Sequence, residues 1–103
     1  YDDIALRRAN IPILTRKLTQ QMAMKVKRLW LHIDLDVLST SSLPAVDYQQ
    51  PGGLTWGQLE KITKTILTSE NVVGMNLTIY NPDLDPDKRH ASRIVRFMQN
   101  ILI

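Results

Sequence analysis

The alternation of helix-type and strand-type patterns along the 103 residues is the feature that most constrains the fold. An apolar residue recurs every four positions through residues 13–27, which predicts an amphipathic helix. Residues 28–36 and 72–80 are short, dense apolar runs whose composition favours strands. Helical spacing returns over residues 55–70 and 85–103. The order helix, strand, loop, helix, strand, helix predicts an α/β fold with a parallel sheet and right-handed crossovers.

Individual residues mark the helices and their ends. The apolar stripe of the first predicted helix consists of Leu14, Leu18, Met22 and Val26. Thr55, followed three positions later by Gln58, predicts a capping box at the start of the second helix. Asp85 and Pro86 predict an N-cap and a proline in the first turn of the last helix. Residues 37–53 show no period, and we interpret them as a long ordered loop of the kind that is usually functional.

Two strands make a poor sheet by themselves, which bears on domain organisation. Strands of a doubly wound parallel sheet are buried on both faces, with helices on both faces, and need further neighbours. Trp30 is expected to lie in the core. The chain also begins at Tyr1 rather than at a methionine. We therefore expect residues 1–103 to be a single C-terminal fragment of a larger α/β domain.

Composition excludes several classes of protein and site. The chain has no cysteine, which excludes disulfides and thiolate zinc sites, and only His32 and His90, which excludes a three-histidine metal site within the chain. Its longest apolar stretches are far shorter than the ~20 residues that span a bilayer, and no signal-peptide pattern opens it. These absences predict a soluble, cytoplasmic protein with no membrane partner.

Charge is unevenly distributed along the sequence. Residues 1–33 hold seven basic and two acidic residues, whereas residues 34–103 hold six basic and eight acidic residues, so the net +3 combines a basic and an acidic segment. A basic segment is compatible with nucleic-acid binding, but only Tyr1 and Trp30 could stack on bases there. A solvated helix face explains the basic residues better. We predict no nucleic-acid partner, and a nucleic-acid-binding α/β module remains the weakest hypothesis.

Asp34 and Asp36 stand at the carboxyl end of the first predicted strand, where ligand sites of α/β sheets lie. Residues two apart in a strand share a face, so both carboxylates are expected to point the same way, with His32 one step further in. Two adjacent carboxylates repel each other unless a cation neutralises them, and oxygen ligands favour Mg²⁺ or Mn²⁺. The alternative is a polar strand end whose acids cap loop amides.

The residues that follow Asp34 and Asp36 resemble the arginase/agmatinase (ureohydrolase) family. That family carries an Asp-x-Asp-x-Leu-Asp-Pro segment, then Pro-Ala or Pro-Gly, then Gly-Gly-Leu-Thr at the start of a helix. Asp34 and Asp36 match its aspartates, residues 44–45 match Pro-Ala, and residues 52–55 match Gly-Gly-Leu-Thr without a gap. Residues 74–82 are similar to the family's Gly-x-Asp-x-x-Glu-x-Asn-Pro segment.

The resemblance covers about residues 28–103 and implies a binuclear Mn²⁺ site. In the family, a water bridging the two ions becomes a hydroxide that attacks a guanidinium or amidine carbon, and a C–N bond breaks. The resemblance implies that Asp34 bridges both ions and that Asp36 binds one. The family's other ligands lie upstream, in a His and an Asp-x-His-x-Asp segment that this chain lacks. We therefore expect the isolated 103-residue chain to be inactive.

Two departures from the family pattern concern the substrate. Leu38-Ser39-Thr40 stands where the family has Leu-Asp-Pro. Ile79 aligns with the Glu that grips the guanidinium in typical arginases and agmatinases. Because an isoleucine cannot pair with a cation, a guanidinium facing it would lose a charge-assisted hydrogen bond. We interpret the chain as a divergent branch with an unidentified guanidino or amidine substrate.

Three further expectations complete the hypothesis. Asn81, at the carboxyl edge of the second strand, either binds substrate or caps the turn that follows it. Asp85 and Asp87 fit acids at a helix N-terminus better than a calcium loop, because the glycine and terminal Glu of an EF-hand are missing. A homo-oligomer is possible. The alternative to an enzyme is a non-catalytic binding or assembly module of the same fold, which Ile79 and the altered loop favour.

Overall fold

The computed structural model describes residues 10–39, 42–44 and 52–102 of the chain. It contains three helices within that part: α1 (Ile11–Lys25), α2 (Trp56–Leu67) and α3 (Arg89–Leu102). Two strands, β1 (Leu29–Asp34) and β2 (Val72–Thr78), pair in parallel. The predicted α/β order and the parallel pairing are confirmed. None of the helices in the described ranges combines the length and apolarity that a membrane-spanning segment needs.

Alternation along the two strands separates an apolar face from a polar face. Leu31 lies opposite Met75 and Ile33 opposite Leu77, and these four side chains pack into the core. The intervening positions place His32 opposite Asn76 and Asp34 opposite Thr78. The polar face therefore carries a matched set of side chains from both strands, close to their carboxyl ends.

The core lies between the apolar face of the sheet and the helices α2 and α3. Phe97 of α3 is completely buried, and its ring centroid lies 5.4 Å from that of Trp56 at the start of α2. The guanidinium carbon of Arg93 stacks 4.6 Å from the Trp56 ring centroid, and its Nη2 contacts Glu60 at 3.2 Å. The indole nitrogen of Trp56 donates to the carbonyl of Ser42, which ties the loop after β1 to this core.

Helix α1 buries a different stripe from the predicted one. Ile11, Thr15 and Thr19 are its buried residues, and Met22 and Val26 are exposed. The four-residue spacing was correct, but the buried face is the one toward α2, which α1 contacts. Apolar character alone did not identify that face, since threonine can be buried when its hydroxyl is bonded, and Thr19 donates to the Thr15 carbonyl at 2.8 Å.

Candidate functional site

Asp34 is the last residue of β1, and two side chains converge on one of its oxygens. The hydroxyl of Thr78, opposite it on β2, donates to Oδ1 of Asp34 at 2.6 Å. The Nε2 atom of His32 lies 2.6 Å from the same oxygen. The prediction that His32 and Asp34 share a face is confirmed. Both side chains are about half exposed, which leaves the carboxylate accessible from the polar face of the sheet.

These contacts change the protonation of both groups. The Thr78 hydroxyl, helped by the His32 side chain and opposed by partial burial, lowers the pKa of Asp34. The hydrogen bond with Asn76 raises the pKa of His32, with a further contribution from Asp34. The lowered pKa keeps Asp34 ionised to a lower pH than an ordinary aspartate, and the anion is the form that a cation requires.

Trp30 and Asn76 form a second side-chain pair on the same polar face. The indole nitrogen of Trp30 donates to Oδ1 of Asn76 at 2.8 Å, and the Trp30 ring lies over Gly74. The expectation that Trp30 belongs to the core is wrong: 63% of the residue is exposed. Trp30 lies on the polar face of β1, whose other face supplies the core. Its apolar ring covers Gly74, and its N–H donates to the Asn76 side chain.

Asp36 lies outside the strand, in a 3₁₀ turn formed by Leu35–Val37. The premise that Asp34 and Asp36 share a strand face is therefore wrong, because β1 ends at Asp34 and the two-residue alternation ends with it. Leu35 is 1% exposed, so its burial anchors this turn to the core. Asp36 remains adjacent to Asp34 at the carboxyl end of β1, but its direction is set by the turn.

Gly53 and Leu54, within the Gly-Gly-Leu-Thr segment, hold the turn that carries Asp36. The Leu54 amide donates to the Val37 carbonyl, and the Ser39 amide donates to the Leu54 carbonyl, both at 2.9 Å. Gly53, with a φ of 131°, sits so close to this backbone that a Cβ atom would lie 2.7 Å from the Val37 oxygen. The predicted loop is ordered here; residues 40–41 and 45–51 lie outside the described residues.

Helix α2 begins where the sequence predicts. The Thr55 hydroxyl accepts from the Gln58 amide at 3.2 Å, and the Gln58 side chain accepts from the Thr55 amide at 2.9 Å. This reciprocal pair is the predicted capping box. It places the first turn of α2 directly after the residues that hold Val37 and Ser39.

Ile79 follows directly after β2 and has an unusual backbone conformation. Its φ is 69°, in the left-handed region that β-branched residues rarely adopt, and 43% of the residue is exposed. The side chain thus stands at the carboxyl end of the sheet without a charge.

Asn81 caps the turn that follows. Its Oδ1 accepts from the Asp83 amide at 3.0 Å, in a 3₁₀ turn over Pro82–Leu84. The structure therefore shows Asn81 in the capping role, the second of the two predicted alternatives. A substrate contact by Asn81 stays a prediction.

Tyr80 and Asp85 form a link that the sequence did not reveal. The Tyr80 hydroxyl donates to Oδ2 of Asp85 at 2.6 Å, and the carboxylate also accepts from the amides of His90 and Ala91 in the first turn of α3. Asp85 is 2% exposed. Burial acts to raise the pKa of Asp85, but these three hydrogen bonds outweigh it and lower the pKa. Asp85 in turn raises the pKa of Tyr80 to about 12.

The start of α3 therefore differs in part from the prediction. The helix begins at Arg89, so Pro86 lies before it rather than in its first turn. Both acids nevertheless bind amides at the N-terminus of α3. Asp85 accepts hydrogen bonds from two backbone amides of the helix, and Asp87 accepts from the Arg89 amide at 3.2 Å. Lys88, with a φ of 59°, bends the chain between these acids and the helix.

The chemistry of the donors fits part of a metal site. The carboxylate oxygens of Asp34 and Asp36 are ligands that Mn²⁺ and Mg²⁺ accept. In residues 10–39, 42–44 and 52–102, however, no group of three His, Asp or Glu side chains is arranged to hold an ion. These two aspartates could supply only some of the ligands of a binuclear centre.

Comparison with known sequences places this arrangement in a family. The arginase family model matches residues 1–103. A formimidoylglutamase from Aeromonas hydrophila is 31% identical over 100 residues, which are 97% of this chain and 32% of that protein. An arginase from Brucella melitensis is 28% identical over 102 residues, which are 99% of this chain and 33% of that protein. The chain thus spans about a third of the length of these curated relatives.

Solved structures share the fold. The arginase of Bacillus caldovelox matches 98% of this chain and 34% of its own, with a TM-score of 0.86 at 22% identity. A formiminoglutamase of Trypanosoma cruzi, solved with Mn²⁺, matches 85% of this chain and 30% of its own, with a TM-score of 0.69 at 18% identity. The predicted arginase-like α/β fold is confirmed. Matched over its whole length by the family's sequence model, the chain belongs to the arginase family.

Proposed function

We propose that this chain is part of a metal-dependent hydrolase that breaks a C–N bond in a guanidino or amidine substrate. The observation that carries the proposal is that Asp34 ends β1 and Asp36 lies in the turn directly after it, in a chain of the arginase family. Relatives of the chain include an arginase and a formimidoylglutamase, which are named for substrates of these two types.

Asp34 and Asp36 would be two of the ligands of a pair of Mn²⁺ ions. When bound, two such cations lower the pKa of a water molecule and stabilise the negative charge that develops during hydrolysis. The contribution of this chain is to supply anionic oxygens at a fixed place. The Thr78 hydroxyl donates to the Asp34 carboxylate and lowers its pKa, and the turn held by Leu54 sets the position of Asp36. The remaining ligands would come from further residues of the protein.

The substrate is expected to be bound without an ion pair at position 79. Ile79 offers only an apolar, partly exposed surface at the carboxyl end of β2. Residue 79 therefore offers no carboxylate that could hold a guanidinium. This favours a substrate that the protein recognises through a different group of the substrate. A formimino compound is one such candidate, and arginine bound through its guanidinium is the less favoured one.

Metal binding by the full-length protein tests the proposal most directly. The variant Asp34→Ala with Asp36→Ala should lose most of the bound manganese, as measured per chain by inductively coupled plasma mass spectrometry. The matched control is Asp83→Ala with Asp87→Ala, which removes the same charge from two exposed aspartates near α3. Absence of manganese from the wild type, or equal manganese in the two double variants, would contradict the proposal.

Substrate release assays separate the enzyme from its alternative. A non-catalytic arginase-fold module is favoured by Ile79 and by the lost Leu-Asp-Pro sequence. Purified full-length protein loaded with manganese should release urea, formamide or ammonia from a compound in a panel of guanidino and formimino compounds. A protein that binds manganese and hydrolyses no member of the panel would support the binding or assembly module instead.

A further inference from the structure

Thr78 and His32 contact the same oxygen of Asp34 from two different directions. Thr78 reaches Oδ1 from the neighbouring strand, where it stands directly opposite Asp34 in the parallel register. His32 reaches Oδ1 from its own strand, two residues before Asp34 on the same face. Both distances are 2.6 Å. These two partners leave Oδ2 of Asp34 as the oxygen that can turn to a further ligand.

We propose that Thr78 and His32 are positioning residues that hold Oδ1 of Asp34 and thereby direct Oδ2 toward a divalent cation. This inference rests on the proposed function, because it takes Asp34 to be a metal ligand. An aspartate side chain has two torsions, and both are restricted when one carboxylate oxygen is held by two donors. Outer partners of this kind orient ligating carboxylates, and their loss typically weakens metal affinity or activity by about 10- to 100-fold.

The partners of Asp34 are themselves held in place. Asn76 lies opposite His32 in the register and accepts from the Trp30 indole at 2.8 Å. Side-chain contacts therefore link the two strands on the polar face at two places, between Trp30 and Asn76 and between Thr78 and Asp34. Because His32, Asp34 and Thr78 all stand on paired strands, the sheet register sets where their side chains meet. A pair of flexible surface side chains would not do this.

The experiment measures manganese affinity rather than turnover. In the full-length protein, free Mn²⁺ is followed by its electron paramagnetic resonance signal during titration. Thr78→Val removes the hydroxyl with little change in shape, and His32→Phe keeps a ring without its nitrogen atoms. Each is expected to raise the dissociation constant for Mn²⁺ by about 10- to 100-fold. Thr78→Ser, which keeps the hydroxyl, and His32→Gln, which keeps a donor, should bind close to the wild type.

Two controls separate positioning from folding. Thr65→Val removes a threonine hydroxyl that donates to the Lys61 carbonyl within α2, far from Asp34 in the sequence, and should leave the affinity unchanged. Urea midpoints and circular dichroism show whether each variant is folded. Should Thr78→Val fail to fold, His32→Phe still tests the inference, because the His32 side chain is 52% exposed and its replacement disturbs little packing.

The outcomes distinguish this inference from the proposed function. Wild-type affinity in folded Thr78→Val and His32→Phe would overturn the positioning roles while leaving Asp34 as a ligand. Weak binding in the serine and glutamine variants as well would also overturn them, since retained donors should restore the geometry. A wild-type protein that binds no manganese would instead refute the proposed function, and the positioning roles with it. Loss in the valine and phenylalanine variants with rescue by serine and glutamine is the supporting result.

Discussion

Replacement of Gly53 by alanine is expected to destabilise the fold where the turn carrying Asp36 meets the start of α2. Gly53 has a φ of 131°, a conformation that residues with a side chain rarely adopt. A Cβ atom at this position would lie 2.7 Å from the Val37 oxygen, 2.8 Å from the Ser39 nitrogen and 2.9 Å from the Leu38 carbonyl carbon. All three are backbone atoms, so the clash can be relieved only by moving the main chain.

The expected cost of Gly53→Ala follows from two contributions. A residue held in a sparsely populated backbone region costs about 1–3 kcal/mol. Overpacking that forces a backbone shift typically costs about 1–3 kcal/mol more. The free energy of unfolding should therefore fall by about 2–6 kcal/mol. With a denaturant slope of about 2 kcal/mol per M of urea, the unfolding midpoint should fall by about 1 M or more.

Gly57→Ala is the matched control, because it makes the same chemical change four residues later. Gly57 lies within α2, and a Cβ atom there would meet only the Thr55 hydroxyl oxygen, at 3.9 Å. Gly57 is the second residue of α2, so this variant should be unchanged or stabilised by less than the roughly 0.5–1 kcal/mol that alanine gains over glycine in a helix interior. Urea titrations followed by tryptophan fluorescence measure both. Similar midpoints for the two variants, or a wild-type midpoint for Gly53→Ala, would refute the reasoning.

Two further predictions concern the N-cap of α2 and the hydrogen bond between Tyr80 and Asp85. Thr55→Ala should lower the free energy of unfolding by about 1 kcal/mol. Thr55→Ser should not, because serine keeps the oxygen that accepts from the Gln58 amide. Urea midpoints check both variants, and equal midpoints would exclude a role for the cap. Asp85 raises the pKa of Tyr80 to about 12, above the ordinary value of 10.0, so the folded chain holds this proton more tightly than the unfolded chain. The resulting stabilisation is complete below pH 10 and is lost as the pH rises from 10 to 12. Tyr80→Phe should therefore lose less stability than the wild type over that interval, and identical pH profiles would contradict the assignment.

Local sequence patterns predicted the helices and strands, because each pattern depends on only a few neighbouring residues. The Thr55–Gln58 capping box was predictable since both partners lie within one helical turn. The two strands were predictable from short apolar runs, and their ends differ from the predicted ends by two residues or fewer. Asp34 was found from its place at the end of such a run.

Features that depend on partners distant in the sequence were not predictable in the same way. The buried face of α1 is decided by its contact with α2, and the position of Trp30 by its pairing with Gly74 and Asn76. Thr78 could have been recognised, because Asn76 and Thr78 alternate with apolar Met75 and Leu77, which indicates a polar strand face. Its contact with Asp34 also needed the strand register, which two short runs do not specify.

The two aspartates of the candidate site are held by different parts of the chain, although the sequence presents them as one motif. Asp34 is fixed across the sheet, by the Thr78 hydroxyl on β2. Asp36 is positioned along the chain, by a turn that Gly53 and Leu54 hold against α2. Changes in β2 should therefore act mainly on Asp34, and changes in the Gly-Gly-Leu-Thr segment mainly on Asp36.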